Sequence, residues 1–148
     1  MSTVFELIIA GELPGRFVWA DESCVAFLTI APISAGHTLV VPREPVRQFT
    51  AAPDELLAHL TGVAAAIGRA QEAAWPTSRA AVLVAGFEVP HLHMHVLPAW
   101  GEAELSFANA RADVPAHELD AAAELLRGAL RDGGLGAQVP VSPDSPTL

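Results

Sequence analysis

The chain has 148 residues, 51% of them apolar, with a mean hydropathy of +0.36 and a net charge of −9. That length fits one domain around a single core, and that hydropathy excludes a chain that is disordered over most of its length. All eight cations are arginine, which excludes lysine-dependent phosphate loops and Schiff-base chemistry, while the acidic excess opposes binding to a nucleic-acid backbone.

Met1-Ser-Thr-Val-Phe-Glu opens the chain without the basic region of a secretory signal, and no apolar run approaches the roughly 18 residues of a membrane helix. A soluble, cytoplasmic protein is expected. Val4 to Ile9 reads as a short helix closed by the turn Gly11-Glu-Leu-Pro14. Phe17-Val-Trp19 and Val25-Ala-Phe-Leu28 flank Asp21-Glu-Ser23, the pattern of a hairpin. Cys24 is the only cysteine, so an internal disulfide and a Cys-rich zinc site are both excluded. His37-Thr-Leu-Val-Val41 alternates weakly and stops at Pro42, a third strand.

Leu56, Leu60, Val63, Ile67, Ala70 and Ala74 recur at spacings of four and three, one apolar stripe along a long helix. Thr50 or Asp54 is the expected cap, Pro53 lies in the first turn and Pro76 ends the helix. At about 1.5 Å per residue it is roughly 30 Å long, enough to cross a small sheet. Ala80-Ala-Val-Leu-Val84 is continuously apolar and is expected as a central strand. His91 to Leu97 is the next strand. A second helix fits Ala116 to Arg131, with Leu119, Ala122, Leu126 and Leu130 inward and Gly133 as its stop. The order predicts an α+β fold on an antiparallel sheet, with residues 1–133 as one domain and 134–148, rich in Pro, Gly and Ser, as a flexible tail.

In the His91 strand, Leu92, Met94 and Val96 point one way and His91, His93 and His95 the other. Histidines at i, i+2 and i+4 stand about 6–7 Å apart on a strand with a rise near 3.3 Å. An apolar opposite face anchors the strand, so the imidazoles are aimed rather than scattered. Two chemistries suit them. One is metal binding, in which His-x-His supplies a ligand pair. The other is phosphoryl or nucleotidyl transfer, in which a neutral imidazole attacks phosphorus while its neighbours donate to the anionic oxygens.

The run His91-Leu-His-Met-His-Val-Leu97 resembles the signature of the histidine-triad (HIT) family, His-φ-His-φ-His-φ-φ, at every position. The resemblance extends from about residue 4 to 98. Val4 to Pro14 looks like the family's opening helix and turn, and Ala26 to Pro32 and Gly36 to Pro42 look like its nucleotide-pocket strands. It implies a homodimeric α+β fold, an antiparallel sheet of about five strands with a long helix and a C-terminal helix. It also implies a cofactor-free hydrolase or transferase acting at a nucleotide α-phosphate. His93 would be the nucleophile and form a nucleotidyl-histidine. His95 would bond the phosphate, His91 would orient or tune the site, and His37 would hold the other ring nitrogen of His93. Phe5, Ile8, Phe27 and Ile30 fall where the family lines its base pocket.

Several positions depart from the family pattern. Thr29 replaces an Asp that grips the ribose hydroxyls, and one hydroxyl cannot accept two hydrogen bonds as a carboxylate does. Val4 and Leu7 replace the two cysteines that hold a structural zinc in some bacterial members, and Pro45 replaces one of its histidines, so no metal site is expected. Before the triad, Val84-Ala-Gly-Phe-Glu-Val-Pro90 keeps Gly86 of the family's Gly-Gln-Ser but puts Glu88 at the Ser that meets the leaving group. Glu88 would then either be protonated, donating to the leaving group, or turn away to an arginine. After the triad, Pro98-Ala-Trp100 lacks a common arginine.

The resemblance is greatest to the histidine-triad nucleotide-binding (Hint) branch. It implies hydrolysis of a P–N or P–O bond at a nucleoside monophosphate or dinucleoside polyphosphate, that is, a phosphoramidase-like enzyme. The alternatives are a non-catalytic binder of nucleotides or phosphorylated ligands and, third, a metal-dependent enzyme using the triad.

Overall fold

A computed structural model describes residues 1–77 and 79–148. Among them, five strands form one antiparallel sheet: β1 (Phe17–Ala20), β2 (Cys24–Leu28), β3 (Thr38–Pro42), β4 (Arg79–Leu83) and β5 (Met94–Ala99). Their spatial order is β1-β2-β3-β5-β4. Three α-helices accompany them: α1 (Val4–Ile9), α2 (Asp54–Ala74) and α3 (Ala116–Leu130).

The two faces of the sheet carry different cargo. On one face α2 and α3 pack over Val18, Cys24, Ala26, Val40, Met94 and Val96, with Leu60, Ile67, Leu126 and Leu130 fully buried. Full burial of each such side chain contributes about 1.5–3 kcal/mol. The other face carries α1 and a smaller cluster of Phe5, Phe17, Val25, Phe27, Leu39 and Val41. The histidine side of β5 belongs to this second face, because His95 alternates with Met94 and Val96.

The strand spacing and the α2 stripe are as the periodicity predicts, with Leu60, Val63, Ile67 and Ala70 buried. Other expectations shift. β4 lies at the sheet edge rather than in its centre, since only β5 pairs with it, and Val82 is half exposed. An edge strand covered by α2 on one face is apolar without being central. The long helix has Pro53 itself at the N-cap, with no side-chain cap from Thr50 or Asp54. In α3, Ala123 rather than Ala122 is fully buried, and the chain reverses at Gly134 (φ +84°) one residue beyond the expected stop.

Residues 134–148, expected as a tail, lie along the domain. Val139 enters the main core, the buried Arg127 donates to the Pro140 carbonyl at 2.7 Å, and the Phe17 amide donates to the Pro143 carbonyl. Beyond a short helical turn at Gly136–Gln138 the segment is irregular, and its carbonyls are free to accept. No helix among the described residues is long and apolar enough to cross a membrane.

Candidate active site

The regular strand begins at Met94, so His91, Leu92 and His93 enter it as irregular chain rather than as an ideal strand face. That bend separates the three imidazoles into distinct settings.

His91 is completely buried. Its Nε2 lies 2.8 Å from the Pro42 carbonyl, and its Nδ1 lies 2.7 Å from the Thr3 hydroxyl. A carbonyl can only accept, so Nε2 carries the proton and Nδ1 accepts from Thr3. Both nitrogens are used, which leaves His91 nothing to offer a ligand.

His93 has its Nδ1 2.7 Å from the main-chain carbonyl of His91. By the same logic Nδ1 is protonated and the Nε2 lone pair is free. His93 is 7% exposed, and the Phe5 ring packs against it nearly perpendicular, with centroids 4.8 Å apart.

His37 does not hold His93, as the resemblance implied. It bonds His95 instead, Nε2 to Nδ1 at 2.9 Å. The Ile33 amide donates to His37 Nδ1 at 3.0 Å, so His37 donates through Nε2, and His95 must carry its own proton on Nε2. A backbone amide thus fixes two rings in succession and leaves His95 an N–H donor beside the His93 lone pair. The His93 and His95 centroids are 4.9 Å apart.

The loop that delivers His37 is tied down locally. Gly36 has φ +85°, and a Cβ there would sit 2.5 Å from the Trp75 ring, so only glycine fits. Gln71 of α2 donates to the carbonyls of Gly36 and Val96, joining this loop to β5, and the Ser34 hydroxyl donates to the Pro98 carbonyl.

Burial makes all four rings resist a proton. It pushes His37 down to about 3, helped by repulsion from His95, and His95 down to about 4, helped by His93. His93 is lowered by burial and by His91, against the opposing pull of the His91 carbonyl and Glu88. His91 is lowered by burial, partly offset by the Pro42 carbonyl and Glu6. At neutral pH the site is a set of neutral imidazoles.

The expected pocket residues divide. Phe5 and Phe27 are buried together, 5.7 Å between centroids, and Ile8 packs against them half-buried. Ile30 stands outside this cluster, 72% exposed, because it follows the end of β2 into a loop. The Thr29 hydroxyl accepts from the Ala31 amide. Gly86 has φ +82° in the loop before the triad. Glu88 is exposed and makes no ion pair with an arginine among the described residues, so that escape is not taken.

Periodicity gave no sign of three further groups. Phe107 lies on the His95 ring, with centroids 4.8 Å apart, from an irregular segment after the triad. The Ile33 amide and the Pro42 carbonyl are main-chain atoms, the first brought to His37 by the conformation of its own loop and the second brought to His91 by the tertiary fold. The contribution of Thr3 did have a signal, since Thr3-Val-Phe-Glu6 is a capping-box spacing.

A structural zinc of the kind some relatives hold does not fit here. Val4 and Leu7 offer no ligand, and both nitrogens of His91 are engaged. Among the described residues, the ligand atoms that converge within 4.8 Å belong to Asp21, Cys24 and His59, not to the triad. The Asp21 carboxylate there already accepts from Trp19 Nε1, His59 Nε2 and two backbone amides. Burial would raise its pKa, but these donors hold it at about 2, and the group staples the β1–β2 turn to α2.

Residues 10–101 match the family model for the HIT domain. An uncharacterised HIT-like protein of Mycobacterium tuberculosis is 34% identical over 143 residues, covering 93% of this chain and 99% of that one. One from Methanocaldococcus jannaschii is 36% identical over 107 residues, 69% of this chain and 83% of its own. Among solved structures, a zinc-bound histidine triad family protein from Mycobacterium smegmatis superposes with a TM-score of 0.78 at 29% identity, over 92% of this chain and 98% of that one. A hypothetical histidine triad nucleotide-binding protein from Sulfolobus tokodaii gives 0.76 at 28% identity, over 86% and 91%.

Proposed function

Because the chain belongs to the HIT-domain family, we propose that it is a nucleotide-directed hydrolase that cleaves a P–N or P–O bond at a nucleoside monophosphate through a nucleotidyl-histidine on His93. The observation that carries this reading is the set of hydrogen bonds that leaves the His93 Nε2 lone pair free and makes His95 Nε2 a donor, on rings whose centroids are 4.9 Å apart. The lone pair attacks phosphorus, and the bond to the leaving nitrogen or oxygen breaks with its electron pair, the leaving group taking a proton from solvent. His95 donates to a phosphate oxygen while charge builds on it. The phosphorylated His93 ring becomes cationic, and the His91 carbonyl on its Nδ1–H stabilises that charge. Water then attacks phosphorus and gives up a proton to solvent, the P–Nε2 bond returns its electrons to His93, and the nucleoside monophosphate leaves.

Phe5, against the His91 and His93 rings with Phe27 behind it, supplies an apolar surface suited to a base. With Thr29 in place of an acid and its hydroxyl in a local turn, ribose recognition is weak. Family precedent and the exposed Val82 on the free edge of β4 support a two-fold dimer joined across that edge, which sedimentation at micromolar concentration should show.

A panel of nucleoside phosphoramidates, dinucleoside polyphosphates and nucleotidyl sugars tests the reading. Turnover that survives a strong chelator is the expected result. Tight binding without turnover of any of them would favour a binding protein, and activity lost to chelation would favour a metal-dependent one.

A further inference from the structure

Among the described residues, one side-chain hydrogen bond fastens the start of the N-terminal helix to the site, the Thr3 hydroxyl on His91 Nδ1 at 2.7 Å. The same hydroxyl oxygen accepts from the Glu6 amide at 3.1 Å, and the Glu6 carboxylate accepts from the Thr3 amide at 2.9 Å. The hydroxyl has one proton, and His91 Nδ1 is the acceptor that receives it. The His91 ring is therefore pinned at both ends, by α1 at Nδ1 and by β3 at Nε2. Turning it would leave a buried donor and a buried acceptor unpaired, at about 1–3 kcal/mol each. The carbonyl of this pinned residue takes the His93 Nδ1 proton. Two residues further along α1, Phe5 presses its ring on both His91 and His93, with centroids at 5.6 and 4.8 Å.

We propose that Thr3 is a positioning residue for His93: by pinning the His91 ring between α1 and β3, it holds the His91 carbonyl on His93 Nδ1 and keeps the Nε2 lone pair free. The inference rests on His93 being the nucleophile. Thr3 touches neither substrate nor the reacting atoms. Its effect is indirect, because the His91 and Leu92 amides also anchor this stretch, on the carbonyls of Val89 and Val46. The expected loss is therefore on the order of tenfold, far below the about 10⁴-fold that follows an outright wrong tautomer in a catalytic triad.

Thr3→Val removes the proton donor and the helix cap together, Thr3→Ser keeps both, and Glu6→Ala breaks the capping box while leaving the hydroxyl. Thr3→Val should lower kcat about tenfold at unchanged KM, since the loss falls on the attack and not on binding. Thr3→Ser should restore kcat. Glu6→Ala should lose stability comparably yet turn over like the wild type. If Thr3→Val does not fold, Thr3→Gly gives the same test, because glycine is tolerated at the N-cap of α1 and has no side-chain proton for His91.

Nitrogen NMR of the imidazoles supplies a readout independent of turnover. The wild type should show His93 purely as the Nδ1–H form, and Thr3→Val a mixture. Wild-type kcat together with an unmixed His93 tautomer in Thr3→Val would overturn the proposal, as would equal kcat losses in Thr3→Val and Glu6→Ala. If no substrate is turned over, the reading of His93 as nucleophile fails, and the tautomers alone still decide the role of Thr3.

Discussion

The two faces of the sheet use buried groups in opposite ways. On the face under α2 and α3, Leu60, Ile67, Leu126 and Leu130 are interchangeable in kind: each contributes area, and none needs a particular partner. On the other face His37, His91 and His93 are nearly as buried, but each nitrogen has an assigned role as donor or acceptor. One face tolerates a loss of volume at a cost in stability. The other converts the loss of a single proton position into a loss of chemistry.

The sharpest break between the faces is His93→Ala. It should lower turnover by about 10⁴-fold or more while leaving ligand binding close to that of the wild type, since the nucleophile acts mainly in the transition state. Near-native rates in this variant would remove the basis of the comparison. The mirror image is Ile67→Ala on the helix face. A fully buried isoleucine cut to alanine should cost about 2–5 kcal/mol of stability, read by denaturant unfolding, with kcat per folded molecule unchanged. A kcat that falls with it would show that the helix layer tunes the site.

Acid should separate the faces next. Folding lowers the pKa of His37 to about 3 and of His95 to about 4, below the 6.5 of an unfolded histidine. The unfolded chain then binds protons that the folded one refuses. This stability is complete above about pH 6.5 and is lost progressively as pH falls, down to about 4 for His95 and about 3 for His37. His37→Phe should flatten that slope in pH-dependent unfolding, whereas Ile67→Ala should leave it unaltered. The smallest effect belongs to Glu88. Its charge pulls the His93 pKa upward, so Glu88→Gln should move the acid limb of the rate profile to lower pH by a fraction of a unit. An acid limb that stays in place would mean that Glu88 does not act on His93 in the working enzyme.

Much of this architecture is legible in the chain alone. The three-and-four spacing from Leu56 to Ala74 specifies an amphipathic helix, because 3.6 residues per turn is a local property of the backbone. The alternation of His91, His93 and His95 with Leu92, Met94 and Val96 separates a chemical face from a packing face for the same local reason. The signature around it identifies the family. The sequence also shows that zinc-ligating cysteines are missing and that Thr29 and Glu88 replace familiar residues.

Only the tertiary structure decides what the imidazoles can do. Which nitrogen carries a proton depends on the atom facing it, and for these rings that atom is often a main-chain group: the Pro42 carbonyl, 49 residues away, for His91, and within its own loop the Ile33 amide for His37. Main-chain atoms have no side-chain identity, so a sequence cannot announce them. The pairing of His37 with His95 rather than His93, the place of β4 at the edge and the packing of residues 134–148 have the same origin. Each depends on where the sheet brings segments dozens of residues apart, a choice set by the packing of the whole domain and not by local periodicity.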